Sequence, residues 1–212
     1  METDTPSLTL APDATARRPQ QERGHKRFET VLNEAEALLL EKGLEGFSIP
    51  TLAERLDFSR RSIYKFFPTP YAVLNELTLR YLDKLKTTLI AEADTLLTLT
   101  HQDTVARIAA IGADFYNAHP VARLLILGGP VTDNSYRAQS LVVQAIGKAA
   151  GAYMQMRGMK LPATSPDVAN LTVEICLTCY RVSYLHHGKI TDAYRDEAAY
   201  AMQAYLSKYL RG

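Results

Sequence analysis

The chain has 212 residues, which is enough for one large domain or two small domains with a buried core. Its 24 Lys and Arg residues balance 23 Asp and Glu residues, so only local clusters of charge can indicate a nucleic-acid partner. The 2 cysteines exclude a disulfide framework, and no stretch approaches the roughly 18 apolar residues of a membrane span. Because the N-terminus also lacks the apolar segment of a signal peptide, we expect a cytoplasmic protein without a membrane partner.

The N-terminal segment, residues 1–24, is rich in Pro, Thr, Ala and Gln and shows no periodicity, which predicts a disordered tail. Its last part is basic, with Arg17, Arg18 and Arg23 against a single acid, Glu22. One hypothesis is that these arginines form an arm that lies in a narrow minor groove of DNA. The alternative is a tail that only improves solubility.

Apolar residues then recur at spacings of three and four, which predicts an all-α fold. We expect the first helix to begin near Arg27 and to end before Gly43. The next three are predicted at about 49–56, 60–67 and 70–97, the last with a possible break. Their expected N-caps are Ser48, Ser59 and Thr69.

The second half of the chain continues the helical pattern, with predicted helices at about 104–118, 121–127, 135–157, 166–187 and 192–210. Ser165 is the expected N-cap of the helix before Gly188, and Gly128 to Pro130 are expected to close the helix before them. We therefore divide the chain into a tail, a three-helix helix-turn-helix domain over 25–70, and a larger helical domain over 71–212.

The stretch FSRRSIYKFFPTPYAVL, residues 58–74, contains no acidic residue. Two short helices joined by a tight turn form a helix-turn-helix, whose second helix enters the major groove of DNA. Leu52, Leu56 and Ile63 are expected to be buried, which leaves the cationic and phenolic side chains outside. Cations on that face gain free energy by releasing counterions from phosphates, and arginine can bind guanine directly. The alternative is an ordinary solvated face.

Residues 31–74 resemble the tetracycline-repressor (TetR) family of bacterial transcription regulators. The matching positions are Gly43, Ser48, Leu52, Ala53, Ser59, Ser62, Ile63, Tyr64 and Phe67. The resemblance implies double-stranded DNA as a partner, and we expect the DNA contacts to be Ser48, Ser59, Arg60, Arg61, Tyr64 and Lys65, together with the basic tail residues. Three positions depart from the family: Asp57 replaces its turn glycine, Phe66 replaces a frequent polar residue, and Pro70 stands at or near its phosphate-binding lysine.

The same resemblance implies that the larger domain binds a small hydrophobic or aromatic effector and forms a homodimer. The expected pocket residues are Phe115, Tyr116, Leu124, Tyr153, Met154, Cys176 and Tyr180. The expected dimer residues on the last helix are Tyr194, Ala198, Met202, Tyr205, Leu206 and Tyr209. For both sets the alternative is ordinary core packing inside one chain.

No nucleophile elbow, phosphate-binding loop or dinucleotide motif occurs, so we expect no enzymatic activity and no cofactor. Cys176 and Cys179 share a helix face, but without further cysteines we expect buried structural thiols and no metal site. The expected function is a homodimeric repressor that an effector releases from a palindromic operator. The alternative is a DNA-binding protein of the same kind with an architectural or protein-partner role and no small effector.

Overall fold

A computed structural model describes residues 11–128, 133–162 and 165–210. Within these ranges the chain is helical, and no strand occurs. The helices are α1 (Glu22–Lys42), α2 (Ile49–Leu56), α3 (Arg60–Tyr64), α4 (Pro70–Ala91), α5 (Ala93–Thr98), α6 (His101–Ala118), α7 (Pro120–Ala122), α8 (Asp133–Met156), α9 (Val168–His187) and α10 (Asp192–Leu210). A π-helical turn, Arg123–Leu127, follows α7 directly. The all-α fold class is confirmed.

Local capping signals place most helix ends. The Thr51 and Ser62 amides donate to the hydroxyls of Ser48 and Ser59, each at 3.2 Å, so both predicted N-caps are confirmed. Gly188 ends α9 in the left-handed conformation that glycine adopts without steric cost. The prediction that Ser165 caps α9 is wrong, because the Asp167 carboxylate accepts from the Asn170 amide instead.

Two helices end or begin away from their predicted positions. The third helix ends at Tyr64 instead of continuing to residue 67, because Phe66 and Phe67 turn inward and are buried. The first helix begins at Glu22, five residues before Arg27, so the predicted boundary of the tail at residue 24 falls inside α1. The predicted turn at Gly128 to Pro130 lies partly outside the described residues.

The chain divides into two compact units within α4. The first contains the described residues through Arg80 together with the start of α8, through Leu141. The second contains Tyr81 through Gly128 and the rest of the chain from Val142. The first unit extends past the predicted domain boundary at residue 70, because Arg80 in α4 donates to the side chains of Asn33 and Glu29 in α1.

Three phenylalanines form the aromatic centre of the first unit. Phe28 of α1 stacks on Phe67 with ring centroids 4.7 Å apart, and its edge meets Phe66 at 6.0 Å. All three rings are buried, and Ile63 beside them is fully buried. Burying each large apolar side chain contributes about 1.5–3 kcal/mol, so this cluster fixes α3 and the residues after it against α1.

The described part of the N-terminal segment is folded, which corrects the prediction of a disordered tail for residues 11–21. Ala14 is buried, and its carbonyl accepts from the Asn75 amide at 2.9 Å. The Arg17 backbone amide donates to the Phe66 carbonyl at 2.7 Å. The segment therefore joins the residues that follow α3 to the first turns of α4.

The second unit is built around α10, which packs against α6 and α9. Ala198, Met202 and Leu206 are 0%, 4% and 4% exposed in the single chain. Packing inside one chain already covers these three side chains, so their place in a dimer interface stays a prediction. The wide apolar stripe of α10 serves this internal contact.

Helices α8 and α9 approach closely at Gly147. A Cβ atom at this position would lie 2.9 Å from the Asn170 Cα atom, which is closer than side chains tolerate. At Gly151 the nearest atom would be the Ala169 Cβ atom at 3.3 Å. The two glycines thus allow close packing of α8 on α9.

Candidate nucleic-acid interface

The turn between α2 and α3 has the geometry of a helix-turn-helix. Asp57 adopts the left-handed conformation, with φ 52° and ψ 41°, and the Phe58 amide donates to the Ala53 carbonyl at 2.9 Å. Asp tolerates this conformation better than most residues other than Gly and Asn. The turn predicted from Asp57 is therefore present although the family's usual glycine is absent.

Helix α3 has one buried side and one exposed side. Ile63 is 0% exposed, whereas Tyr64 is 42% exposed and Arg60, Arg61 and Lys65 are also exposed. Among the described residues, no carboxylate forms an ion pair with these three cations. The exposed side thus presents uncompensated positive charge and a phenol, which suits the phosphate walls of a DNA groove.

Ser48 and Ser59 cap the N-termini of α2 and α3, as predicted. Each serine hydroxyl also contacts a second hydroxyl: Ser48 contacts Thr51 at 2.8 Å, and Ser59 contacts Ser62 at 2.7 Å. Their capping role is clear, and a phosphate contact by Ser48 or Ser59 stays a prediction.

Ion pairs and a ring contact hold α2 and the turn against α1. Arg55 contacts the carboxylates of Glu34 and Glu41, each at 2.6 Å. The hydrogen bond and charge of Arg55 lower the pKa of Glu41, and the same hydrogen bond raises the pKa of Arg55. Arg27 lies over the Phe58 ring at 5.4 Å. These contacts hold α2 and the turn in place, and α2 in turn supports α3.

The three tail arginines do not behave as one free arm. Arg18 forms an ion pair with Glu76 at 2.6 Å, so its guanidinium is already engaged. Arg17 and Arg23 are exposed, and Arg23 lies in the first turn of α1. A role in DNA binding stays a prediction for all three.

The comparisons with known proteins agree on one family. Residues 31–77 match the family of bacterial regulatory proteins, tetR family. The predicted resemblance to the TetR family is confirmed over these residues. Two solved structures have a similar fold. The first, a TetR-family transcriptional regulator from Streptomyces coelicolor, is 17% identical with a TM-score of 0.66, covering 86% of this chain and 99% of the other. The second, the multidrug binding protein EbrR complexed with imidazole, is 16% identical with a TM-score of 0.66, covering 89% and 96%.

No curated protein matches the sequence. The match over residues 31–77 supports DNA-binding transcriptional regulation, the broad part of the functional prediction. Within its described residues, no helix has both the length and the apolar character that crossing a membrane requires.

The second unit contains a cavity of about 450 Å³ between α6, the end of α8 and α10. Its apolar lining residues are Val105, Ile108, Met154, Met159, Leu206 and Leu210. Its size is within the range of roughly 300–1,000 Å³ that is usual for ligand pockets. Of the seven predicted pocket residues, Tyr153 and Met154 line this cavity.

Four of the other predicted pocket residues form part of a packed core, and the fifth, Leu124, is half-buried in the π-helical turn. Tyr116 and Tyr180 are each 1% exposed, with ring centroids 6.1 Å apart. The Tyr180 hydroxyl donates to the Ala109 carbonyl. Phe115 is buried against Tyr116, and Cys176 is buried beside Tyr180. These four side chains pack the core and do not line the cavity.

Sequence reasoning missed Arg157, which lines the cavity from the end of α8. Its guanidinium donates to the carbonyls of Leu96, Leu97 and Leu99, which lie 58 to 61 residues earlier in the chain. A cation near a helix end carries no local signal for such a distant contact. Only the folded chain reveals it.

Proposed function

We propose that this TetR-family protein is a homodimeric repressor that binds a palindromic operator and is released by a small hydrophobic effector. The observation that carries the proposal is the exposed side of α3. It combines Arg60, Arg61 and Tyr64 with Lys65, the residue after the helix, opposite the buried Ile63, and no carboxylate among the described residues forms an ion pair with the three cations. We assign base contacts to Arg60 and Arg61 and phosphate contacts to Tyr64 and Lys65.

Further contacts with the DNA backbone are proposed for Ser48, Ser59, Arg17 and Arg23. The serines begin α2 and α3, where helix N-termini favour phosphate. Arg18 is the weaker candidate, since its guanidinium pairs with Glu76. In this proposal the larger domain, counted from residue 71, binds the effector and forms the dimer.

A stripe on α9 supports the homodimer. Leu171 and Leu185 are 39% and 68% exposed, and Ile175 and Val182 between them are half-buried. Together with Thr178 they repeat at alternating spacings of four and three, the pattern of a helix–helix seam. In this proposal the two-fold dimer forms through α9 and the half-buried tyrosines of α10. A palindromic operator read in successive major grooves requires recognition helices about 34–36 Å apart, one turn of DNA.

The cavity supports effector binding, and EbrR, a protein of similar fold, is a multidrug binding protein. An effector that prefers one conformation of the dimer shifts the population away from the operator-bound spacing. The alternative function, architectural or protein-partner binding without an effector, predicts that no small molecule changes operator affinity.

The DNA assignment is tested by selecting an operator from random duplexes and measuring affinity by fluorescence anisotropy over a salt series. Arg61→Ala should cost about 1–3 kcal/mol and relax specificity at one base pair. Lys65→Ala should weaken binding to all duplexes and reduce the salt slope by about one. Lys86→Ala, which removes an exposed lysine of the second unit, is the control and should change neither property. Unchanged operator binding in both α3 variants would refute the assignment.

A further inference from the structure

The cavity between α6, α8 and α10 has one permanently charged lining residue, Arg157. None of the described residues that line it is Asp or Glu, and His101 is the other ionisable cation-forming side chain there. A lipophilic cation would therefore meet a guanidinium and no counter-charge, whereas an anion would meet a matched partner. The lining thus favours an anionic or neutral ligand with an apolar body.

Arg157 is held at the cavity wall by backbone carbonyls. Its Nη1 donates to Leu96 O at 3.1 Å and Leu97 O at 2.9 Å, and its Nη2 donates to Leu99 O at 2.6 Å. A guanidinium has five N–H groups. Its Nε–H and one Nη2–H find no acceptor among the described residues, so they are available to a ligand oxygen.

Three other polar side chains of the wall form hydrogen bonds inside the chain. The Thr104 hydroxyl and the Tyr153 hydroxyl both donate to Leu96 O, at 3.2 and 2.8 Å. The Gln203 side-chain amide donates to Gln102 O at 2.9 Å. These bonds leave Arg157 as the strongest available donor in a cavity whose other walls are mainly apolar.

We propose that this cavity binds a medium-sized apolar carboxylate, with its hydrocarbon part against Val105, Ile108 and Met154 and its carboxylate on Arg157. The inference rests on the proposed effector function and names the ligand class. A carboxylate adds the attraction of a full negative charge to the hydrogen bonds that the guanidinium donates, which a neutral carbonyl does not supply. A carboxylate that binds the free Nε–H and Nη2–H draws the guanidinium toward the ligand, and in this proposal that pull competes with the carbonyls at the end of α5.

This competition links the ligand to the DNA-binding unit through the chain itself. Helix α5 follows α4 after Glu92 alone, and α4 begins in the first unit. Weakening the Arg157 contacts frees the C-terminal end of α5 from the end of α8. In this proposal, that release is the first step by which the ligand changes operator affinity.

Isothermal titration calorimetry on the full chain tests the ligand class with three probes of equal chain length. These are decanoate, decanol and decyltrimethylammonium. We expect decanoate to bind at least about tenfold more tightly than decanol, because hydrogen bonds to charged groups are the stronger ones, and the ammonium to bind most weakly. Equal affinity for all three probes, preference for the ammonium, or absence of decanoate binding would overturn the inference.

Variants test the role of Arg157. Arg157→Gln should weaken decanoate binding by about tenfold or more and leave decanol binding nearly unchanged. Arg107→Gln is the matched control, since it removes the same charge from an exposed arginine that pairs with Glu92 outside the cavity. An equal loss for decanoate and decanol in Arg157→Gln would mean that Arg157 only supports the wall, which overturns the carboxylate site.

Ile108→Trp keeps the test decisive if Arg157→Gln does not fold. The larger side chain reduces the volume of the cavity and should weaken both probes, so undiminished decanoate binding would overturn the site. Operator binding, measured separately, distinguishes the two proposals. Decanoate binding without operator release supports this site and contradicts the release mechanism, whereas operator binding without decanoate binding overturns only the carboxylate site.

Discussion

The Arg18 guanidinium and the Glu76 carboxylate form an ion pair at 2.6 Å that joins the N-terminal segment to α4. The Glu76 side chain is 10% exposed, whereas that of Arg18 is 70% exposed. The pair therefore satisfies a nearly buried carboxylate with a cation that remains largely in solvent. It lies beside the bonds from Thr69 to Asp13 O and from Asn75 to Ala14 O.

Removing Arg18 should lower stability more than it lowers DNA affinity. Arg18→Ala leaves the Glu76 carboxylate without its partner. We expect the free energy of unfolding to fall by about 1 kcal/mol, a small value because solvent screens the exposed Arg18. Urea unfolding of Arg18→Ala, Glu76→Gln and the double variant measures the coupling between the two residues. Additive effects would contradict a functional ion pair. Arg23→Ala is the control and should leave stability unchanged.

Replacing Asp57 tests the left-handed turn. Asp57→Gly and Asp57→Ala both remove the carboxylate, but only Ala keeps a Cβ atom at φ 52°. Glycine accepts this conformation without the steric cost of about 1–2 kcal/mol, although it loses more chain entropy on folding. We expect the Gly variant to be more stable than the Ala variant by about 1 kcal/mol in chemical unfolding. Equal stability of the two would show that the turn relaxes away from this conformation.

Two glycines of α8 offer a matched pair. Gly147→Ala should destabilise the chain by about 1–3 kcal/mol, because the new methyl group would press on the Asn170 backbone at 2.9 Å. Gly151→Ala meets only the Ala169 methyl group at 3.3 Å, so the gain in helix propensity of about 1 kcal/mol offsets most of its cost. Thermal unfolding of both variants compares them. A Gly147→Ala protein as stable as Gly151→Ala would contradict the close approach of α8 and α9.

The buried thiol of Cys176 should make stability depend on alkaline pH. Burial raises its pKa to about 12, while the thiol of the unfolded chain ionises near about 8.5. The contribution is complete below the unfolded pKa and is lost as the pH rises toward 12, at no more than about 1.4 kcal/mol per pH unit. Urea unfolding between about pH 8.5 and 10.5 should therefore show a smaller slope for Cys176→Ala than for the native chain.

The reactivity of the two thiols provides a second measurement. Cys179 is half-buried, and its burial and the charge of Glu197 raise its pKa. Alkylation followed by mass spectrometry should modify Cys179 before Cys176, because thiolate and access both favour it. Equal rates of modification, or identical pH slopes with and without Cys176, would contradict the buried thiol.

The exposed stripe of α9 should control the oligomeric state. Leu185→Glu places a charge on a leucine that is 68% exposed in the single chain, and we expect it to split the dimer. Ile90→Glu is the control, because Ile90 in α4 is 62% exposed and lies outside the stripe. Light scattering coupled to size exclusion measures both. A dimer that survives Leu185→Glu, or is split equally by Ile90→Glu, would refute the proposed interface.

Structural features that depend on neighbouring residues in the chain could be predicted from the sequence. Ser48 and Ser59 reach amides three residues ahead, and Gly188 accepts a left-handed conformation, so helix ends follow from local chemistry. The same holds for the amphipathic pattern around Ile63, which separates the buried side of α3 from its cationic side. These short-range signals were enough to predict the fold class and the helix-turn-helix.

Which apolar residues contact which helix depends on the packing of distant parts of the chain and could not be predicted from the sequence. An apolar stripe such as Ala198, Met202 and Leu206 is compatible with a dimer or with internal packing, because the pattern predicts burial without showing which helix covers the stripe. The position of Arg157 depends on carbonyls about 60 residues away, and the folding of the N-terminal segment depends on Asn75 and Glu76. Contacts over such distances arise when helices pack, and periodicity along one helix cannot specify them.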